Sequence, residues 1–385
     1  MSSANGEPLS HIRVDHTGAL RAPKSLRDAA QDNRRGALSN EAFDRLRDET
    51  IAETIRKQEA VGLPVVTDGE FRRRNFQDSF YAAVAGYESS SLDNASGENM
   101  SAKPFTRTEP AGQWRRRLVK RLSFVRNVLL DEFKFGCKIA NVPVKVTLLS
   151  PDRVADRFDN KDGIYRDSDE FLADVVKIER QIVKGLVDAG CRYIQIDAPG
   201  YTSYVDPPSV QQMRDRGEDP DKIIARSIEA DNAVIDGFDG VTFGLHICRG
   251  GARTIDPSNG KIAPQWHREG HYDAIAERLF GGLKHQRLLL EYDSDRAGSF
   301  EPLRFVPKGK VAVLGLVTTK SPDIEAKDLL RRRIDEASSY LPLDQLALSP
   351  QCGFGGMRAA AIDEDVQWRK FERIVETAQA VWGRA

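Results

Sequence analysis

Four residues with metal-binding side chains stand at or just after the ends of three apolar segments. His246 and Cys248 lie two positions apart, Glu291 ends a run of leucines, and Cys352 follows a third apolar run. Residues i and i+2 of a strand share one face, so His246 and Cys248 can point at the same ion. Imidazole, thiolate and carboxylate together form a borderline-soft donor set, which suits zinc better than magnesium or calcium.

The spacing of these donors bears on what a zinc ion would do. Structural zinc sites usually take their ligands from close pairs of cysteines, whereas these four donors come from three distant segments. That scatter favours a catalytic ion. The alternative, in which the cysteines are ordinary buried thiols and Glu291 is a surface glutamate, stays open.

The composition is typical of a cytoplasmic enzyme. The 385-residue chain has a formal net charge of −1, which gives no long-range attraction to nucleic acid or to an anionic membrane. Four cysteines do not make a disulfide scaffold, and we expect Cys137 and Cys191 to be buried thiols. The sequence has no apolar stretch of about 18 residues, and Met1–Ser10 lacks the apolar core of a signal peptide.

Short apolar runs, which predict strands, recur along the whole sequence. The eight predicted strands are Ile12–Gly18, Pro64–Thr67, Val142–Leu149, Tyr193–Asp197, Val241–His246, Arg287–Glu291, Val311–Leu316 and Gln345–Leu348. Between and after them lie longer stretches whose apolar residues recur every three or four positions. These predicted helices are Ala42–Ala60, Asp169–Ala189, Asp221–Phe238, Tyr272–Leu283, Ile324–Tyr340 and Glu364–Trp382.

The alternating order of these elements predicts one domain, a (β/α)8 barrel over residues 1–385. Ser39 is a predicted helix N-cap, and Gly62 and Gly190 are predicted helix ends. A doubly wound open sheet is the alternative fold. It is disfavoured because no glycine-rich phosphate-binding turn follows the first strand.

Residues 85–140 interrupt the pattern as an insertion between the second and third predicted strands. Its first half is polar and rich in turn residues, and Trp114–Leu122 is basic with interleaved apolar residues. An insertion on this side of a barrel stands near the active-site face, where it can serve as a lid or an oligomer arm. A solvated basic segment is the alternative interpretation.

The catalytic side chains of a barrel gather at the carboxyl ends of its strands. Besides the metal donors, the candidates at such positions are His16, Asp68, Glu70, Asp197 and Thr319 or Lys320. Two carboxylates precede three arginines in Thr67–Arg74, a stretch that is equally compatible with a solvated turn. Asp197 ends an apolar strand close to Pro199, so its carboxylate should be partly buried and should need a bound cation or a substrate ammonium as its partner.

Several of these motifs follow one another in an order that resembles the catalytic barrel of cobalamin-independent methionine synthase. They are Thr67-Asp-Gly-Glu70, Gln195-Ile-Asp-Ala-Pro199, His246-Ile-Cys248, Glu291 and Pro350-Gln-Cys-Gly353, and the similarity extends from His16 to the last predicted helix. The resemblance implies a (β/α)8 barrel in which zinc activates a thiol and a methyl group passes from a methyltetrahydrofolate to homocysteine sulfur. It implies as zinc ligands His246, Cys248, Glu291 and Cys352.

The resemblance also assigns roles to the other candidates. Glu70 and Asp197 would match the carboxylates that hold the homocysteine amino group. Lys320, in Thr318-Thr-Lys-Ser-Pro322, stands where the family has the histidine that protonates the departing folate nitrogen. Ala19 stands in place of a serine that helps to hold the amino-acid carboxylate, and Ala198 in place of an acidic residue.

The chain has room for only one of the two barrels of the full methionine synthase, and the second barrel helps to hold the folate. In this it resembles the short single-barrel relatives. These include methionine synthase-like proteins and the zinc enzymes that add a thiol such as coenzyme M to an epoxide.

These observations predict a zinc-dependent methyltransferase that acts on a zinc-activated thiol. The methyl donor is expected to be a methyltetrahydrofolate or another small molecule. Lys320 and Asp197 are the predicted catalytic residues, and the predicted substrate-binding residues are His16, Glu70, Asp197 and Arg74. The alternatives are thiol addition to an epoxide, with Lys320 or Arg74 protonating the alkoxide, and a non-catalytic barrel stabilised by zinc. We expect a small thiol and a small methyl or alkyl donor as partners, and neither nucleic acid nor membrane; a homo-oligomer is left open.

Overall fold

Strands and helices alternate along most of the chain. The structure is a computed structural model that describes residues 8–73, 76–88, 117–156, 158, 160–249, 268, 270–355 and 362–385, with the backbone of 253–255 and 262–264. Its strands are β1 (Val84–Tyr87), β2 (Leu118–Phe124), β3 (Val146–Leu149), β4 (Tyr193–Asp197), β5 (Thr242–Ile247), β6 (Arg253–Ile255), β7 (Ile262–Pro264), β8 (Arg287–Glu291), β9 (Val311–Val317) and β10 (Leu346–Pro350). Six of them form one parallel sheet in the order β10-β9-β8-β5-β4-β3.

Two further segments extend this sheet at its edges. Val14 forms a parallel bridge with β10, and Val66 forms one with Val144, just before β3. The two segments meet where the Leu20 N–H donates to the Gly69 carbonyl at 3.1 Å, although no ladder joins them in the part of the chain that the structure describes. The architecture is therefore the predicted (β/α)8 barrel, with its first two strands reduced to short bridges.

The longer helices surround this sheet. They are Lys24–Arg34, Asn40–Val61, Val128–Cys137, Ser168–Asp188, Pro207–Asp215, Pro220–Ile235, Lys327–Ser338 and Glu364–Trp382. Five predicted helices are confirmed to within a few residues, whereas the predicted helix Tyr272–Leu283 is a 3-10 turn followed by a short helix, Ala276–Gly282. The break occurs at Ile275, whose φ of −127° leaves the helical range. As predicted, the Ser39 hydroxyl caps its helix by accepting from the Ala42 N–H.

Strand alternation sorts the buried side chains into two layers. Ile196, Leu245 and Leu290 point outward and belong to the large cluster that includes the helices. Leu289 and Val313 point into the barrel, in a small separate cluster. The barrel interior is therefore only partly apolar, and charged groups occupy the rest of it.

Asp15 lies at the centre of that charged interior. Its carboxylate accepts hydrogen bonds from Lys145 Nζ at 2.7 Å, from Arg287 Nε at 2.9 Å and from the Tyr193 hydroxyl at 2.5 Å. Burial alone would raise the pKa of Asp15, but Lys145 and Arg287 hold it well below its ordinary value. This network joins the first strand segment to three strands around the barrel.

The predicted insertion at residues 85–140 includes part of the barrel. β1 and β2 pair as an antiparallel hairpin, and residues 89–116, which include Trp114, lie outside the described residues. Helix Val128–Cys137 buries Leu129 and Phe133 in the core. The helix carries Cys137 at its end and exposes it, so the prediction of a buried thiol was wrong there, whereas Cys191 is buried as predicted. Among the described helices, none is both long and apolar enough to span a membrane.

Candidate metal and substrate site

The ends of β5 and β10 bring three metal-binding side chains together. Ligand atoms of His246, Cys248 and Cys352 all lie within 4.8 Å of one another, and the first two residues are buried. Neither ring nitrogen of His246 has a nitrogen or oxygen hydrogen-bond partner among the described residues, and its interaction is with the Cys248 thiol. An imidazole and two thiols buried together, without an oxygen or nitrogen partner for the ring, fit a bound metal ion.

The two thiols also influence each other. A hydrogen bond with Cys248, and then burial, raises the pKa of Cys352 well above its ordinary value. A divalent cation has the opposite effect, because it stabilises thiolates. An imidazole and two thiols form a donor set that a soft or borderline cation binds as the thiolates.

Glu291 ends β8 and is fully buried, but its carboxylate is not part of this group. Its Oε2 accepts from the Arg249 backbone N–H at 2.7 Å, and its Oε1 pairs with Arg296 and with Lys320 Nζ, the latter at 3.1 Å. It lies near enough to interact electrostatically with His246 and Cys352. The structure therefore brings three of the four predicted ligands together and holds the fourth beside them in ion pairs.

Lys320 lies just after the end of β9. Its ammonium pairs with Glu291 and, at 3.0 Å, with Asp293 Oδ2. Its neighbour Thr319 is buried and donates its hydroxyl hydrogen to Gln351 Oε1 at 2.7 Å. Of the two candidates at this strand end, Lys320 is the one that contacts Glu291, the carboxylate beside the metal-binding group.

A tight turn after the Val66 bridge positions Glu70. Gly69 and Glu70 both have left-handed backbones, with φ of 71° and 62°, and the Glu70 N–H donates to Asp68 Oδ1 at 2.9 Å. A left-handed glutamate costs about 1 kcal/mol or more, so the surrounding contacts must hold it. One of those contacts is the Thr147 hydroxyl, which donates to Glu70 Oε1 at 2.7 Å.

Of the two arginines of this segment that the structure describes, Arg73 is the one that turns inward. Its guanidinium donates to Glu132 Oε2 at 2.7 and 3.0 Å and to Thr147 Oγ at 2.8 Å, and its side chain is only 5% exposed. Arg72 instead pairs with Asp48. The predicted substrate residue Arg74 lies outside the described residues. The run of three arginines signalled a cationic contact, but its spacing alone did not single out Arg73.

Asp197 faces the barrel mouth from the end of β4. Gln195 Nε2 donates to its Oδ1 at 2.7 Å. Burial raises the pKa of Asp197 to about 7, and burial also raises the pKa of Glu70. The Glu70 carboxylate raises the pKa of Asp197 further, and the Asp68 carboxylate raises that of Glu70. The recess formed by Asp68, Glu70 and Asp197 therefore favours a cationic group. Buried atoms with no partner among the described residues, Gln195 Oε1 and Asp68 Oδ2, are available to a polar ligand.

The structure does not bring His16 to this recess. Its ring packs edge-on against Phe371 of the last helix, with centroids 5.7 Å apart, and its Nε2 lies 3.3 Å from the Val65 carbonyl. Alternation explains this position, because Asp15 takes the inward direction and its neighbour must point toward the helices. The structure therefore places His16 between the first strand segment and the last helix, and its contact with substrate stays a prediction.

Comparisons with known proteins place this chain in a family. The profile of the family described as "Cobalamin-independent synthase, Catalytic domain" matches residues 18–205. The uncharacterized protein YxjH of Bacillus subtilis is 34% identical over 377 residues, covering 96% of this chain and 95% of that protein. A methionine synthase of Sulfurisphaera tokodaii is 22% identical over 338 residues, covering 87% of this chain and 84% of that protein.

Solved structures agree with the fold. A putative vitamin-B12 independent methionine synthase from Listeria monocytogenes has a TM-score of 0.72 and 27% identity, with 98% of this chain and 99% of that chain covered. A B12-independent methionine synthase from Shewanella, in complex with selenomethionine, has a TM-score of 0.69 and 18% identity, with 96% of this chain and 97% of that chain covered. Together with the three-ligand group at the barrel mouth, these matches show that the chain belongs to the cobalamin-independent methionine synthase-like family.

Proposed function

We propose that this protein is a zinc-dependent methyltransferase that transfers a methyl group to the thiol of a small substrate. The observation that carries the proposal is the cluster of His246, Cys248 and Cys352 at the mouth of a barrel of this family. Methionine synthases among the relatives support a methyl transfer to sulfur.

The residues present fit a zinc ion. His246, Cys248 and Cys352 would hold it. Glu291, which pairs with Arg296 in the structure, is the proposed fourth donor. When bound, zinc lowers the pKa of a substrate thiol, which otherwise is only a few per cent thiolate at neutral pH. The buried position of the cluster excludes bulk water from the reacting sulfur.

Glu70 and Asp197 would hold the polar end of the thiol substrate. Both carboxylates are buried. The arginine nearest to Glu70, Arg73, lies 3.6 Å from it and pairs more closely with Glu132, at 2.7 Å. An amino group on the substrate would supply the missing charge and draw both carboxylates to the ionised form. Gln195 and Thr147 fix the direction of these carboxylates.

Lys320 would supply a proton or a positive charge on the opposite side of the cluster, and Asp197 is the second proposed catalytic residue. The methyl donor is proposed to be a methyltetrahydrofolate or another small donor. Homocysteine is the acceptor to test first because it carries both a thiol and an amino group, although Ala19 and Ala198 leave less polar surface than the family pattern.

The proposal is tested by metal analysis and a thiol assay on the purified protein. We expect about one zinc per chain, and Cys248→Ser and Cys352→Ser should lose most of it while remaining folded, because the barrel core does not depend on the ion. Cys137→Ser, at an exposed thiol outside the site, is the matched control and should keep its zinc. Undiminished zinc in both site variants would contradict the assignment.

The same protein then shows which reaction occurs. Homocysteine and other small thiols are supplied with methyltetrahydrofolate, other methyl donors or an epoxide, and the product is identified by mass spectrometry. A methylated thiol supports the proposal. A hydroxyalkyl thioether formed only from the epoxide would replace methyl transfer by thiol addition.

A further inference from the structure

We propose that Glu132 is a positioning residue that holds the Arg73 guanidinium away from Glu70, so that the Glu70 carboxylate stays available for the amino group of the thiol substrate. Glu132 then acts through Arg73 and does not touch the substrate itself. This inference rests on the proposed function, because it concerns the recess in which Glu70 and Asp197 would hold that amino group.

Glu132 is a buried charged residue on the core-facing side of helix Val128–Cys137. It shares that face with Leu129 and Phe133, where the spacing of an amphipathic helix favours an apolar side chain. The Glu132 side chain is only 7% exposed, and a buried carboxylate is costly unless it is paired. Its partner is Arg73, whose Nη2 and Nε donate to Glu132 Oε2 at 2.7 and 3.0 Å. The pairing with Arg73, and not core packing, therefore accounts for a glutamate at this position.

Arg73 lies between two carboxylates, and one of them holds it more closely. Its guanidinium reaches Glu132 at 2.7 Å, whereas its Nη1 lies 3.6 Å from Glu70 Oε1. Nη1 donates instead to the Thr147 hydroxyl at 2.8 Å, and that hydroxyl donates to Glu70 Oε1 at 2.7 Å. Because an arginine only donates hydrogen bonds, its bond to Thr147 leaves the hydroxyl hydrogen for Glu70. Glu70 is thus oriented by a neutral hydroxyl, with the guanidinium one hydrogen bond further away.

The space around Arg73 shows what would follow if Glu132 lost its charge. A cavity of about 10 Å³, close to the volume that one water molecule requires, is lined by Glu70, Arg73 and Glu132. It gives the guanidinium room to approach Glu70. Lys145 also lines this cavity, but its ammonium is already bound by the Asp15 carboxylate at 2.7 Å. An arginine released by Glu132 would therefore pair with Glu70 and neutralise the charge that attracts a substrate amino group.

The experiment compares two thiols that differ only in the amino group, homocysteine and 4-mercaptobutanoate. Their binding to the zinc-loaded protein is measured by calorimetry. We expect Glu132→Gln to bind homocysteine about ten- to hundredfold more weakly, which corresponds to one charge-assisted hydrogen bond, and to bind 4-mercaptobutanoate within about threefold of the unaltered protein. Glu132→Asp keeps the charge and should recover most of the homocysteine affinity. Asp131→Asn, at an exposed acid on the same helix, is the matched control and should bind both thiols as the unaltered protein does.

The double variant Glu132→Gln/Arg73→Met separates positioning from a merely structural role. If Glu132 acts by holding Arg73, removal of the arginine restores homocysteine binding to within about threefold of the unaltered protein. If the affinity stays low in the double variant, the proposal is overturned. Equal weakening of both thiols in Glu132→Gln would also overturn it, because the effect would then have no connection with the amino group.

Arg73→Met alone provides a second route if Glu132→Gln does not fold. Burial raises the pKa of Glu132, and without Arg73 the carboxyl stays protonated and neutral while Glu70 keeps its charge. Homocysteine affinity should then be kept or rise, and a tenfold loss would overturn the proposal because Arg73 would support substrate binding directly. Failure of the proposed function has a different signature, because the unaltered protein would then bind no zinc and neither thiol.

Discussion

Glu179 is a buried acid without a partner, and it allows a test of the structure that does not depend on the site. It lies on helix Ser168–Asp188, is fully buried, and neither carboxylate oxygen has a hydrogen-bond partner among the described residues. Asp231 faces it from helix Pro220–Ile235 and is itself engaged by the Ser150 and Tyr201 hydroxyls. Burial, and then the charge of Asp231, raises the pKa of Glu179 well above its ordinary value.

The sign of the effect on stability follows from proton binding. As pH rises past the ordinary value of 4.5, the unfolded chain loses the Glu179 proton first, while the folded chain keeps it. The free energy of unfolding therefore falls by about 1.4 kcal/mol for each pH unit until the folded group titrates.

Glu179→Gln removes this loss because the amide stays neutral at every pH. We expect the variant to gain about 1.4 kcal/mol on the unaltered protein for each pH unit above pH 4.5 over which the folded Glu179 keeps its proton, measured by urea unfolding with tryptophan fluorescence. Glu229→Gln, at an exposed position on helix Pro220–Ile235, should follow the unaltered protein throughout. A difference between Glu179→Gln and the unaltered protein that does not change with pH would refute the reasoning.

Three further changes test the barrel interior and the recess. Asp15→Asn strands two buried cations and should lower the free energy of unfolding by about 3–5 kcal/mol in urea titrations; a loss below about 1 kcal/mol would contradict the network. Gly18→Ala should cost about 1–3 kcal/mol by the same measurement, because φ is 104° and the new Cβ would lie 2.5 Å from Thr147 Cγ2. Glu70→Gln should raise KM for an amine-bearing thiol more than it lowers kcat in steady-state assays, whereas a fall in kcat alone would argue against a binding role.

Most strand positions could be predicted from the sequence. β4 and β8 have the predicted bounds because each is a short apolar run ended by a carboxylate at the barrel mouth. The first two strands are shorter than predicted for local reasons. Pro64 has no N–H to donate to a ladder, and Gly18 adopts a left-handed backbone that ends the extended segment.

The ion pairs of the barrel interior could not be predicted from the sequence in the same way. Alternation marks Lys145 and Arg287 as inward-facing positions, but it does not name their partner. Asp15 lies 130 residues from Lys145 and 272 from Arg287. Their meeting depends on the order of the strands around the barrel and on side-chain length, neither of which is expressed in local sequence.

At the site, too, the sequence predicted which residues lie at the strand ends but not all of the contacts that they make. The i, i+2 spacing predicted that His246 and Cys248 share a face, and the structure places them together with Cys352. That Arg73 turns inward and Arg72 does not depended on two consecutive left-handed residues, Gly69 and Glu70, which set the direction of the chain after the turn. A left-handed glutamate has no reliable sequence signal, so Arg73 was found only in the structure.

Lys320, which stands where the family has a histidine, forms an ion pair with Glu291. The resemblance to the family assigns this position to proton donation, and the sequence shows the exchange without showing what the lysine contacts. Glu291 and Asp293 precede it by 29 and 27 residues, on the neighbouring strand end. The long lysine side chain reaches both carboxylates, which lie 3.1 and 3.0 Å from its Nζ. The residue at position 320, where the family has its proton-donating histidine, is therefore in contact with Glu291, a predicted zinc ligand.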